Sequence, residues 1–366
     1  MAERRVPSVY ADIKAAVAAA VSGADEVILE QAGSPFQGVN NRNVDLGGKA
    51  ITIRGETGDP TDIVVDCENL GSNGFICTSG ELLTTIIKDL TVYRAYDTAG
   101  WSGGILIHSG SSPTIQNVIV DLCQAQYDPY GSGGGINILH AGSDPLIENC
   151  ILKHNRARYK AAGVRVESGN PNPLFNNCLV YNNGDSPPLL HGGGFYFSTA
   201  DGTLRNCTIY NNSAGGGGSA YGGGVFCDGT STVTLYDCII WDNNAGAGGD
   251  ELAEVAGTMT LNNCCYQNLA GDVYGTPIFN NCITSNPLLV NPGAADYHLE
   301  HIAAGQGSDS PCIDAGSDTA VNLGMDDKTT RTDSIADTGQ VDMGWHYLGG
   351  IPPALTGKLN MMQLVP

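Results

Sequence analysis

An Asn or Asp followed by Cys and a short apolar run returns six times, as Asn149-Cys150, Asn177-Cys178, Asn206-Cys207, Asp237-Cys238, Asn263-Cys264 and Asn281-Cys282. The steps between copies are 28, 29, 31, 26 and 18 residues, and a degenerate copy at Asn117 lies 32 residues before the first. A second motif runs out of phase with it: GGILIHSG from 103, GGGINILHAG from 133, AGVRVESG from 162, GGGFYFS from 192 and GGGVFCDG from 222. Self-similarity at this period is the mark of a solenoid, in which each repeat buries its core against its neighbours. The 50 glycines are therefore punctuation at fixed places, not the signature of a disordered chain.

Within each repeat the apolar residues alternate. Ile136 and Ile138 oppose Asn137, Val164 and Val166 oppose Arg165 and Glu167, and Val225 and Cys227 oppose Phe226 and Asp228. Period 2 over a few residues predicts short strands with one buried face. PLIENCIL, TLRNCTIY and TVTLYDCIIW predict a second strand per repeat, and no helical period separates the two. The chain reads as all-β: one single-stranded parallel β-helix, one coil per repeat. Ile13, Ala16, Val17, Ala20 and Val21 share one face of a predicted N-terminal helix that would cover the first coil. The expected division is a cap helix within 1–24, coils over 25–285, an irregular C-terminal closure over 286–350 and a tail over 351–366.

The layout resembles the right-handed parallel β-helix (pectate lyase-like) repeat proteins that bacteria secrete. YADIKAAVAAAVSGADEVILEQ resembles that group's capping helix and first strand, VDLGGKAITIRGE its first coils, and SDSPCIDAGSD with GQVDMGWHY its closing segment. The resemblance covers residues from about 9 to 347. It implies the fold, an extracellular or periplasmic setting, and a polysaccharide held in a groove along the coils. Catalysis by lyases, glycosidases or epimerases, or binding alone by adhesin-like modules, are all hosted by this architecture.

Charge narrows the partners. With 38 acidic and 17 basic residues the net charge is -21, which disfavours nucleic acid and anionic membranes. No apolar run reaches the length of a membrane span, and the first residues lack the hydrophobic core and cleavage site of a signal peptide. The twelve cysteines contain no CxxC pair, which argues against zinc. Stacked one rung apart, at about 4.8 Å, Cys150, Cys178, Cys207, Cys238 and Cys264 predict a ladder of buried thiols, with an isolated bridge at Cys67, Cys77 or Cys123 left open. The Asn of each pair predicts a column of amides bridging rungs.

Function is sought where the repeat is broken. Between residues 95 and 327 there are six Lys or Arg, and five fall in one coil: Lys153, Arg156, Arg158, Lys160 and Arg165. One reading is a solubilising turn whose charges pair with nearby acids. The other is a subsite for an anionic or polyhydroxylated chain, since Arg offers paired donors to a carboxylate. Register would extend an outward column through Leu106, Asn137, Arg165, Tyr196 and Phe226, with Glu167, Ser198 and Asp228 beside it. Arg156, Arg158, Tyr130, Tyr196, Asn137 and Trp101 are the candidate substrate-binding residues, and Lys160, Arg165, Glu167, His191 and Asp128 the candidate catalytic ones. For elimination, Arg165 with Arg158 would neutralise a uronate, and Lys160, His191 or a Tyr would move the proton. For hydrolysis, Glu167 would pair with Asp128, Asp185 or Asp228 across the groove. The resemblance further implies that Ca2+ neutralises substrate in lyases of this fold, with Asp128, Asp185 and Asp228 as candidate ligands. Neither the acidic triplets of a polygalacturonase-like site nor a DPHE-type epimerase motif occurs. Full pairing of the basic coil's charges favours binding or spacing; unpaired charges in an open cleft favour an enzyme.

Overall fold

The computed structural model describes residues 2–70, 73–97, 103–126, 131–184, 191–215 and 218–349. The glycine-led segments form a nine-stranded parallel sheet, one strand per coil, that includes Ile105–Ile107, Ile136–Leu139, Val164–Glu167, Phe195–Ser198, Val225–Asp228 and Leu252–Glu254. The Asn-Cys segments form a larger parallel sheet that bends at the Asn, as between Leu146–Glu148 and Ile151–Lys153. Short strands such as Arg156–Ala157 add a third face. Like residues stack because parallel pairing repeats without slip: Ile105, Ile136, Val164, Phe195, Val225, Leu252 and Val273 follow one another in register. These stacks are continuous with the main core.

The asparagines of the refrain have a backbone task. Asn149, Asn177, Asn206, Asp237, Asn263 and Asn281 all have φ between 47° and 55°. That left-handed conformation suits Asn and Asp among residues with a side chain, and it turns the chain from one strand to the next. The amide column is real at its start, where Asn177 Nδ2 donates to Asn149 Oδ1 at 2.9 Å. Farther along, these side chains leave the column and hold the C-terminal segment instead. A second ladder lies in the interior, five residues after each Cys. Asn155 donates to Asn183, Asn183 to Asn212, and Asn212 to Asn243, at 2.9, 2.9 and 3.0 Å. Each amide also donates to a carbonyl of the preceding coil, so no member's polar group is left bare in the core. Glu251 ends the series by accepting from Asn243 N–H at 3.0 Å and from its Nδ2.

All twelve thiols are free and all but Cys282 are buried, so the expected thiol ladder is present. Cys67, Cys77 and Cys123 are likewise unbridged.

The N-terminal helix spans Ile13–Ala19, capped by the Asp12 side chain, with Ile13, Ala16 and Val17 buried. Lys49 Nζ caps its other end by donating to the carbonyls of Val17, Ala18 and Ala20. Val21 falls outside the helix and is exposed, and a strand not foreseen in the sequence, Ala2–Val6, pairs with Asp25–Leu29 ahead of it. At the other extremity, the segment after 286 runs back along the flank of the coils. His346 N–H donates to Asn177 Oδ1, Trp345 N–H to Thr208 Oγ1, Gly344 N–H to the Asp237 carbonyl, and the Ser317 hydroxyl to Asp237 Oδ2. Tyr297, Trp345 and Tyr347 bury Ile119, Ile151, Leu179 and Tyr181 beneath them. The last coil strand, Ile278–Asn280, stays exposed.

Candidate functional site

The register expected from the sequence holds: Leu106, Asn137, Arg165, Tyr196 and Phe226 occupy successive strands at one position, and Leu139, Glu167, Ser198 and Asp228 another. The exposure does not. Asn137, Arg165 and Tyr196 are 0, 8 and 2% exposed. The cause is the glycine that precedes each strand. Gly133, Gly192, Gly222 and Gly249 take positive φ and lay their own backbone against the column. At Gly192 an added Cβ would lie 2.5 Å from the Phe195 carbonyl oxygen and 2.7 Å from Tyr196 Cβ. The strand is therefore covered on both faces, and Asn137 and Tyr196 sit beneath this cover instead of lining an open groove. Ala161 takes the glycine's place in the basic coil, at φ 54°, and begins a small buried cluster that runs through Tyr196 and Phe226 to Ala253.

Glu167 is the electrostatic centre of the basic coil. Its Oε1 accepts from Lys160 Nζ at 2.9 Å and its Oε2 from Arg165 Nε at 2.6 Å. Burial raises the Glu167 proton affinity, but Arg165 and Lys160 outweigh it and hold the carboxyl below its ordinary range. For Lys160, burial works against the ammonium, yet Tyr196 and Glu167 prevail and raise its proton affinity. Neither group is poised as a proton shuttle: the carboxylate has both oxygens engaged, and the lysine holds its proton more firmly than a free one. Elsewhere in the coil Asp121 takes Lys153 at 3.7 Å and His154 Nδ1 at 2.9 Å. Arg156 is exposed and Arg158 half-buried on the adjoining face. Asp228 is half-buried two strands from Glu167. Trp101, Asp128, Tyr130 and Asp185 lie outside the described residues.

His191 differs from these groups. Burial and the nearby Lys160 lower its proton affinity, against the pull of Asp228. Its Nδ1 accepts the Tyr221 N–H at 3.3 Å, which places the ring proton of the neutral imidazole on Nε2. Around it runs a surface strip that the sequence showed only in fragments. Lys160 pairs with His191 on the next coil, and Tyr221 pairs with Gly248 one coil beyond the histidine. The His191 and Tyr221 rings are parallel within 2°, with centroids 6.1 Å apart, and Tyr221 meets Tyr274 at 4.8 Å. Tyr159, under Lys160 Nζ at 5.6 Å, begins the strip at 38% exposure, and Tyr274 ends it at 43%. Tyr159 and Tyr221 stand just ahead of glycine-led strands that the repeat marks, whereas Tyr274 falls after the clear repeats and carried no signal.

Carboxylates gather elsewhere. In the C-terminal flank, Asp314, Asp337 and Asp342 each offer an oxygen within 4.8 Å of the others. The two buried members are tied into the flank's own network: Asp337 accepts from His346 Nε2 at 2.9 Å and from Asp342 N–H at 2.9 Å, and Asp342 accepts from Asp314 N–H at 2.7 Å.

Residues 27–199 match the family model described as the right handed beta helix region. Together with the continuous parallel stacking, this defines the protein as a right-handed parallel β-helix. No curated protein and no solved structure matches the chain. Among the described residues no helix is long and apolar enough to cross a membrane.

Proposed function

We propose that the protein binds a polysaccharide lengthwise along the strip from Tyr159 and Lys160 through His191 and Tyr221 to Tyr274. The observation that carries the reading is the alignment of Lys160, His191 and Tyr221 on successive coils, extended by the Tyr274 ring, which reaches Tyr221 from two coils further on. Coils repeat at about 4.8 Å, close to the rise of one sugar unit in an extended chain, so successive sugars would meet equivalent positions. Tyrosine faces supply apolar contact with a polar tip, the neutral His191 donates from Nε2, and Lys160 adds a charged donor. An extracellular or periplasmic setting belongs to the same proposal and agrees with the acidic composition.

Binding is favoured over cleavage because the basic coil's central charges are spent on one another. Glu167 takes a hydrogen bond from each of Lys160 and Arg165 and so shapes the coil beneath the strip. Cleavage by β-elimination or hydrolysis is the second reading, supported by His191, a neutral imidazole near Asp228. Ca2+ belongs only to that second reading, with Asp228 as the described member of its ligand set. A panel of neutral and acidic polysaccharides tests both by affinity electrophoresis, ultraviolet absorbance of unsaturated products and assay of new reducing ends. The binding reading expects retardation by at least one glycan, lost in Tyr221→Ala and Tyr274→Ala, without new ends. Retardation unchanged in both variants would overturn it.

A further inference from the structure

Two cysteines stand apart from the interior ladder and meet between two layers. Neighbours on a strand point to opposite faces, so Cys264 enters the core stack while Cys265 faces outward. The C-terminal flank covers Cys265 and brings Cys312 to it. Cys312 is placed by its own N–H donating to Ser310 Oγ at 3.1 Å, by the Ser310 hydroxyl donating to the Pro287 carbonyl at 2.6 Å, and by Met343 N–H donating to the Cys312 carbonyl. Both cysteines are fully buried in a small cluster with Ile239, Leu299 and Met343, where their thiols interact, as those of neighbouring ladder cysteines also do. Cys265 Sγ also reaches the Ser285 carbonyl at 3.3 Å.

We propose that Cys265 and Cys312 form a disulfide that fastens the C-terminal flank to the coils when the chain folds in an oxidising setting. The ladder thiols are arranged differently. They project side by side from successive rungs, and Cys150, Cys178 and Cys207 each reach a backbone carbonyl of the preceding coil, at 3.5, 3.4 and 3.7 Å. Cys265 belongs to the coils and Cys312 to the flank, so the rung spacing of about 4.8 Å that keeps ladder Cβ atoms beyond disulfide reach does not govern this pair. The oxidant is a low-molecular-weight disulfide. The thiolate of one cysteine displaces a thiol from it to give a mixed disulfide, and the second thiolate displaces the other thiol. Two S–H bonds are lost, one S–S bond forms, and the oxidant leaves as two thiols carrying both electrons and both protons. Because both sulfurs are sealed once the flank docks, the exchange occurs during folding, before closure. The bond would hold the flank in place whatever the state of the hydrogen bonds at Asp237, Thr208 and Asn177.

The test is to refold the full chain in glutathione/glutathione disulfide buffer, quench with an alkylating reagent in denaturant, and map peptides without reduction. The expected result is one linked peptide pair joining Cys265 to Cys312, with the ladder cysteines alkylated. Proteolytic release of the flank should then slow at least tenfold relative to the reduced protein. Cys312→Ser should abolish both the linked pair and the protection, and Cys150→Ser should leave both. Recovery of Cys265 and Cys312 as alkylated thiols, or linkage of either to a ladder cysteine instead, would overturn the proposal.

Discussion

Replacing Glu251 by Gln should make the protein more stable at alkaline pH and little different at acid pH. Glu251 is fully buried at the end of the interior asparagine ladder. Burial pushes its carboxyl up from 4.5 to about 8, against the hydrogen bonds from Asn243 and with help from Asp272 and Asp242. Below pH 4.5 the group is protonated whether the chain is folded or unfolded. Above that, the unfolded chain ionises first, so stability is lost progressively as pH rises towards 8 and levels off beyond it. At about 1.4 kcal/mol per unit, the loss by pH 8 comes to roughly 4 kcal/mol. A glutamine cannot ionise and keeps one of the two oxygens to which Asn243 donates, giving up the other hydrogen bond at every pH. Urea denaturation followed by circular dichroism at pH 5 and pH 8.5 should show near-equal midpoints at the lower pH and a clear gain for Glu251→Gln at the higher. A variant that is weaker than the parent by the same margin at both pH values would refute the reasoning, because Glu251 would then act only through its hydrogen bonds.

Asn183→Ala removes the middle of the ladder, leaving donors on Asn155 and acceptors on Leu152 and Asn212 without their partner; it should cost about 3 kcal/mol or more in urea denaturation. Gly192→Ala meets both a positive φ and close backbone contacts, so a loss of roughly 2 kcal/mol is expected, read as a lowered midpoint. Burial raises Asp237 to about 6 although Ser317 donates to it twice. Docking of the flank should therefore be firmest below about pH 4 and weaken as pH rises through 6. Limited proteolysis at pH 5 and pH 7.5 should show that dependence in the parent and a flatter one in Asp237→Asn.

The coils were legible in the sequence because parallel stacking demands the same residue type at the same place in each repeat, and Ile136, Val164 and Phe195 announce it. Their register was legible for the same reason. Burial of the outer column was not, although its cause was present: a glycine four residues ahead of Asn137, Tyr196, Phe226 and Ala253 packs its backbone against each of them. The interior ladder was equally available as an Asn five residues after Cys150, Cys178, Cys207 and Cys238, but the Asn-Cys pairs are more conspicuous. The path of the flank was beyond reach, since it rests on contacts such as Asn206 to Asp342 and Asn177 to His346 that no local pattern encodes. The candidate site suffered accordingly. Charge singled out one coil, yet the geometry spends Arg165 and Glu167 on each other and draws attention to the aromatic rings on the coils beyond.

The most direct measurement of the central claim is calorimetric titration with a length series of one retained oligosaccharide, comparing the parent with Tyr221→Ala. Affinity should climb with each added sugar until the strip from Tyr159 to Tyr274 is spanned and then level off, with a shorter climb in the variant. Affinity independent of length, and identical in the two proteins, would contradict it.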